Sequence, residues 1–331
     1  MKGKHQIVVQ NKRIHFSFSV KRNITLIKGD SATGKTTLFS MIEEYDRLGN
    51  DSGIQVQCDK RCTSLSGQYW EDALDRIKDA IVFIDEDSKF VKSNHFAEKI
   101  QNSDNYYVII TRENLPSLPY SVEEIYGIHS SGKYKNTRQV YNLLYKLYPD
   151  FLATRSEVVQ NLLIEDSQSG FQFFSKLAEK YRVGCESAYG KSNIAKKIQE
   201  YLKSKRNGML VVVDGAAFGP EMDRVSKLIN RENRIKIYLP ESFEWLLLES
   251  DILNDGTIRK ILDSPEEFIE SEKYFSWERY FTELLIEKTQ KSPYAYEKTK
   301  LPPFYLQDKN LKKIVDKMQT VGIQFVNPAS T

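Results

Sequence analysis

Residues 23–39, NITLIKGDSATGKTTLF, decide the fold. An apolar run of Ile24, Leu26 and Ile27 stops at Gly29, and Gly34-Lys35-Thr36-Thr37 follows at the start of a helical pattern. The stretch fits G-x-x-x-x-G-K-S/T. Glycines at both ends let the backbone turn tightly enough for successive N–H groups and the helix N-terminus to face phosphate oxygens. Gly29, Asp30, Ser31, Ala32, Thr33, Gly34, Lys35, Thr36 and Thr37 are therefore the candidate nucleotide-binding residues. Lys35 would reach the β- and γ-phosphates as a mobile cation, and the Thr36 hydroxyl would ligate a magnesium ion bridging them.

A second motif supports the first. In AIVFIDED, residues 80–87, the apolar run 81–84 reads as a strand buried on both faces, with Asp85, Glu86 and Asp87 at its carboxyl end, where open α/β sheets place their ligands. The two motifs look like Walker A and Walker B of a P-loop NTPase. Asp85 would hold the magnesium directly or through water, and Glu86 would orient or deprotonate the water attacking the γ-phosphate. A third apolar strand, 106–110, ends in Thr111-Arg112-Glu113-Asn114. Resemblance to AAA-like and related ATPases makes Thr111 the candidate γ-phosphate sensor. Arg112 reads equally as a trans-acting finger or a helix cap. Residues 64–68, SLSGQ, resemble part of the ABC signature, but they follow the first motif too closely for a helical subdomain and lack the second glycine. ATP is expected over GTP because no N-K-x-D motif follows the third strand.

Around this core, residues 5–20 alternate as a strand pair turning at Asn11-Lys12, 54–57 is a short strand candidate, and Trp70, Ala73, Leu74 and Ile77 share a helical face. The chain has 331 residues, a length that suits about two domains. Its 48 Lys+Arg against 45 Asp+Glu leave a formal charge of +3, which neither demands nor excludes nucleic acid. Three cysteines without framework spacing point to a reducing compartment. Cys58 and Cys62 lack a second pair at metal-ligand spacing. No apolar run approaches the roughly 18 residues of a membrane span, and the opening MKGKHQIVVQNKR has no signal-like apolar region, so a cytoplasmic location is expected.

After a loosened, tyrosine-rich stretch ending near Pro149, strand and helix patterns alternate again. Strand candidates at 158–164, 183–187, 209–213 and 235–239, with helical patterns between them, imply a second parallel sheet. Glu165 follows the first of these strands and Asp214 the third, an order that resembles the Toprim domain of topoisomerases, primases and the overcoming-lysogenisation-defect nucleases. Gly190-Lys191-Ser192-Asn193 and the acidic helix start at 241–245 strengthen the likeness, which covers about residues 156–250. It implies that Glu165 and Asp214 hold magnesium for phosphodiester chemistry. The sequence departs from the Asp-x-Asp pattern at Ala216, and Glu221 or Asp223 are the candidates to compensate. The plainer reading makes Glu165 and Asp214 loop or capping acids of a doubly wound fold. Residues 190–193 do not make a second P-loop, because the first glycine is missing at the right spacing.

The remaining residues are helical and aromatic. Trp277, Tyr280, Phe281, Leu284 and Leu285 share one face, and Leu311, Ile314, Val315 and Met318 lie on a helix begun by Asp308. Between them, Lys288, Lys291, Lys298, Lys300 and Lys309 interleave with Tyr294, Tyr296, Phe304 and Tyr305, a composition shared by single-strand nucleic-acid binders and proline-rich connecting loops.

The expected architecture is α/β: a P-loop NTPase domain at 1–150, a Toprim-like α/β domain at 151–250 and a helical, aromatic region at 251–331. The expected function is a magnesium-dependent ATPase whose nucleotide state controls a Toprim-like module acting on or binding nucleic acid. This resembles fused ATPase–Toprim proteins of bacterial anti-phage defence. Contacts of the γ-phosphate with Thr36, Asp85 and Thr111 would hold one conformation that hydrolysis releases. The alternative is a non-catalytic ATP-driven switch whose degenerate half recognises a partner protein or nucleic acid. A P-loop kinase is disfavoured by the Asp-Glu pair and the lack of an arginine-rich lid. ATP and Mg2+ are the expected cofactors, and a homo-oligomer the expected assembly.

Overall fold

The computed structural model describes residues 1–29, 34–130, 139–149, 157–204, 208–229, 234–319 and 322–325. The chain is mixed α/β and divides into two compact units, Met1–Tyr148 with Ser264–Ser276, and Pro149–Asp263 with Trp277–Thr331. The third region read from sequence at 251–331 is thus shared out, most of it going to the second unit and 264–276 to the first.

The first unit contains β1 (His5–Gln10), β2 (Ile14–Val20), β3 (Ile24–Ile27), α1 (Lys35–Leu48), β4 (Gln55–Gln57), β5 (Arg61–Ser64), α2 (Trp70–Arg76), β6 (Ala80–Ile84), α3 (Asn94–Ile100), β7 (Tyr106–Ile110), β8 (Ile125–Ser130) and β9 (Val140–Lys146). Among the described residues these nine strands form one sheet in the order β4-β1-β2-β9-β8-β3-β7-β6-β5. The run from β8 to β5 is wholly parallel. Every residue of β3, β6 and β7 is buried, as a parallel sheet covered on both faces requires. Their side chains alternate between two cores. Leu26, Val82, Ile84, Tyr107 and Ile109 pack with Leu74 and Phe96 of α2 and α3. Ile27, Ile81, Phe83, Val108 and Ile110 pack with Leu38 and Ile42 of α1 and with Phe16 and Phe18 of β2.

The expected hairpin at 5–20 forms, with Ile7 opposite Phe18 and Val9 opposite Phe16. The stretch that looks loose in sequence supplies β9, which pairs antiparallel with β8 and parallel with β2 and so joins the hairpin to the parallel core. Strand β9 escapes a pattern reading because its alternation is inverted: Asn142 is buried while Val140, Leu143 and Tyr145 are exposed. The Ser130 hydroxyl donates to Asn142 Oδ1 at 3.1 Å, which satisfies the buried amide oxygen.

The second unit contains β10 (Glu157–Val158), β11 (Asn161–Ile164), α4 (Ser169–Tyr181), β12 (Gly184–Ser187), α5 (Lys191–Ser204), β13 (Met209–Val212), α6 (Gly219–Ile229), β14 (Ile235–Tyr238), α7 (Phe243–Glu249), α8 (Gly256–Asp263), α9 (Trp277–Thr289), α10 (Asp308–Gln319) and β15 (Ile323–Gln324). Among the described residues four strands form a wholly parallel sheet in the order β12-β11-β13-β14. The single strand expected at 158–164 is interrupted: β10 pairs with β15, and only β11 enters the sheet. The order reverses between β11 and β13, the switch point where doubly wound sheets open a crevice beyond their carboxyl ends. Glu165 and Asp214 follow these two strands.

The start of β6 depends on one amide. Asn105, 1% exposed, accepts from the Ala80 N–H at 3.0 Å and donates to the Ile77 carbonyl at 2.9 Å. Asn105→Ala leaves both buried groups unsatisfied and is expected to cost about 2–4 kcal/mol in urea unfolding of the first unit; a cost near zero would show that water replaces the amide.

Candidate active site

In the first unit, β3 delivers the chain to Gly29 at φ 135°, and Gly34 at φ 95° starts α1. Both angles lie where a Cβ is strained, so glycine is the residue the turn requires at each. Lys35 is buried and donates its ammonium to the Gly29 carbonyl at 2.6 Å, bridging the two ends of the loop. Phe16 of β2 and Asn142 of β9 lie beneath Gly34, which explains what the extra strands support. Asp30, Ser31, Ala32 and Thr33 lie outside the described residues. Thr36 is exposed and Thr37 half-buried in the first turn of α1.

Asp85 stands at the carboxyl end of β6 with its Oδ1 buried and, among the described residues, without a hydrogen-bond partner. Burial raises its pKa; the Glu86 backbone N–H opposes this, and the charges of Asp87, Glu86 and Glu43 add to it. Asp85 faces a cavity of about 570 Å³ shared with Ser40 and Glu43 of α1. Thr36, Ser40 and Glu43 recur at i, i+4 and i+7, so Thr36 belongs to the same helix face one turn nearer the loop. Ser66 to Gln68 of the SLSGQ stretch form another wall of this cavity, a position sequence reading had given no role.

Strand β7 lies between β3 and β6, and the Thr111 N–H donates to the Ile27 carbonyl at 3.1 Å. The Thr111 hydroxyl is occupied in its own turn, accepting from the Glu113 N–H at 3.0 Å. Arg112 caps none of the described helices; its Nε donates to Glu86 Oε2 at 3.1 Å and forms an ion pair with Oε1 at 2.8 Å. Sequence reasoning passed over Lys28, which is 6% exposed and donates to Asn114 Oδ1 at 2.5 Å, tying β3 to the loop after β7. Its signal was a charge inside a buried strand end.

In the second unit, the topology brings Glu165 and Asp214 together: Glu165 Oε2 accepts from the Asp214 N–H at 3.0 Å. Asp214 Oδ1 accepts from the Phe243 N–H at 3.1 Å, at the start of α7. The two acids line a cavity of about 270 Å³ with Glu244, Glu278 and Lys298. Glu221 and Asp223 do not line it, and Asp223 instead pairs with Lys227 on α6 at 2.8 Å. Ala216 is buried, its N–H bonded to the Glu241 carbonyl. Lys191 of the GKSN stretch donates to the Ala217 carbonyl at 2.9 Å.

Burial pushes the Glu165 carboxyl up to about 7; the Asp214 N–H and Lys191 oppose this, and Glu278 and Asp166 reinforce it. Asp214 rises well above the ordinary carboxylate range through burial first, then through Glu278, Glu165 and Glu244, with Lys298 opposing. Among the described residues no group of three or more His, Cys, Asp or Glu side chains is arranged to hold a metal ion.

In the aromatic and basic segment near residue 300 the rings and some of the lysines are engaged within the fold, while Lys291, Lys300 and Lys309 are exposed. Tyr296 and Tyr305 are buried, Tyr294 stacks on Phe304 at 4.2 Å, and Lys288 and Lys298 are paired with Asp255 and Glu278. Among the described residues no helix is long and apolar enough to cross a membrane. No family model matches the chain, and no curated protein matches it.

Glu165 provides a pH test. Its raised folded-state pKa means that stability is full below its unfolded value, about 4.3, and is lost as pH rises through about 7. Glu165→Gln keeps an acceptor for the Asp214 N–H and removes this loss. Chemical denaturation is expected to show the variant gaining about 2 kcal/mol on wild type between pH 5 and pH 7.5; a pH-independent difference would mean the carboxyl titrates normally.

Proposed function

We propose that the chain is a magnesium-dependent ATPase whose nucleotide state controls its Toprim-like half, with nucleic acid as the candidate target and a homo-oligomer as the working assembly. The observation that carries this reading is the buried, unpartnered Oδ1 of Asp85, in a cavity walled by the helix that the glycine-lysine-threonine loop begins. A buried acceptor of this kind calls for a cation or its water. The residues fit the group: Gly29, Gly34 and Lys35 would hold the phosphates, and Thr36 and Asp85 the magnesium. The ion would neutralise charge on the phosphates when bound.

The protein's own groups supply the rest. Lys35, now on the Gly29 carbonyl, has a phosphate oxygen as a stronger, charged acceptor. Glu86 is the candidate to orient the attacking water, and it must first leave Arg112, whose guanidinium holds it in this state. Thr111 acts as a sensor only if its hydroxyl leaves the Glu113 turn.

A second reading is favoured by one observation in the other unit: Ala216 stands where the Toprim pattern has an acid, and no other group completes a metal site among the described residues. In that reading the second unit recognises a partner protein or nucleic acid without cutting it.

Lys35→Ala is expected to lose ATP uptake in calorimetry. Glu86→Gln is expected to bind ATP normally and to hydrolyse it about 10²-fold or more slowly. Normal turnover by Glu86→Gln would remove it from the chemistry, and phosphate appearing on an acceptor instead of in solution would replace the ATPase with a kinase.

A further inference from the structure

The acidic crevice of the second unit contains a cation of the chain's own. Lys298, in the loop after α9, places its ammonium 2.8 Å from Glu278 Oε1 and 3.8 Å from Glu244 Oε1. Glu244 is 1% exposed, and its Oε1 also accepts from the Tyr296 hydroxyl at 2.8 Å. The backbone around Lys298 is pinned on both sides. Its carbonyl accepts from the Ser169 N–H at 3.0 Å, and Gln172 binds the Thr299 carbonyl and the Leu301 N–H, each at 2.9 Å. Tyr296 adds a 2.6 Å hydrogen bond to Ser169. This lysine does not swing on a free loop.

The remaining acids of the crevice are engaged too. Asp166 accepts from the N–H groups of Gln168 and Gly170 in its own turn, at 2.9 and 2.7 Å. Glu165 and Asp214 are held by the Asp214 and Phe243 N–H groups, and Ala216 offers no ligand oxygen. Burial opposes the charge on Lys298, yet Glu244, Glu278 and Asp214 raise its pKa above the ordinary lysine value, so it stays cationic at any working pH. A divalent ion in this crevice would stand against that ammonium at close range and with one ligand fewer than the fold's usual set.

We propose that Lys298 is the resident cation of the Toprim-like crevice, taking by charge the place of the divalent ion, so that this unit loads no magnesium and cuts no phosphodiester. The proposal rests on the Toprim-like reading of the second unit and decides between its catalytic and recognition roles. Sequence composition leaves Lys298 open between a nucleic-acid surface and a proline-rich connecting loop; its partners Glu278 and Glu244 make it a counter-ion.

The test is Mn2+ titration of the full chain followed by electron paramagnetic resonance, without nucleotide so that the P-loop site stays unloaded. Wild type is expected to bind no Mn2+ at submillimolar concentration. Lys298→Met is expected to gain one site, at least about tenfold tighter than any in wild type, and Lys298→Met with Glu165→Gln to lose it. Should Lys298→Met fold poorly by circular dichroism, Lys298→Gln, which retains a donor toward Glu278, replaces it. One Mn2+ bound by nucleotide-free wild type and lost in Glu165→Gln overturns the proposal, as does a folded Lys298 variant that gains no site. Failure of the ATPase reading shows separately, as absence of ATP uptake by wild type.

Discussion

A parallel strand covered on both faces leaves no room for charge along its length, so polar groups collect beyond its ends. In the first unit β3, β6 and β7 are buried at every residue, and the chain turns polar at Lys28, Asp85 and Thr111 as each strand leaves the sheet. In the second unit Glu165 and Asp214 follow β11 and β13 in the same way. The chemistry of each candidate site is thus a consequence of covering its sheet with helices. The helices are held there by interleaved apolar side chains such as Leu38 and Ile42 on one face of the first sheet and Leu74 and Phe96 on the other.

The two crevices handle their acids differently. Asp85 keeps a buried carboxylate oxygen without a partner, a feature that costs on the order of 1–3 kcal/mol and persists only where the surrounding core over-determines it. Here that core is a β6 strand buried throughout and anchored at its start by Asn105. In the second unit Glu165, Asp214, Glu244 and Glu278 each have a donor: a backbone N–H for the first two, Tyr296 for Glu244 and Lys298 for Glu278. An acid left short of partners is ready for a ligand, whereas acids already supplied with donors form a structural network. On this ground the first unit is the better candidate for metal-assisted chemistry and the second for recognition.

Motifs whose residues are adjacent in sequence were legible because local geometry alone gives them meaning. The glycine-lysine-threonine stretch, the AIVFIDED strand end and the four alternating strands of the second half could all be read from spacing and apolar runs. Strand β9 was not legible, because Asn142 faces the core while Val140, Leu143 and Tyr145 face outward, reversing the expected pattern. The splitting of 158–164 was hidden for a related reason: the partner that draws off β10 is β15, at the other end of the second unit.

By itself the sequence determined that this is an α/β chain with a phosphate-loop pattern, an acidic strand end and a second run of parallel strands carrying Glu165 and Asp214. Periodicity and glycine placement act over a few residues, so they survive without a fold. Only the tertiary structure decided that β7 lies between β3 and β6, that Arg112 holds Glu86, and that Glu244, Glu278 and Lys298 converge on the Glu165–Asp214 crevice. Those relations join residues tens of positions apart, and strand order and helix packing bring them together where no local pattern records it.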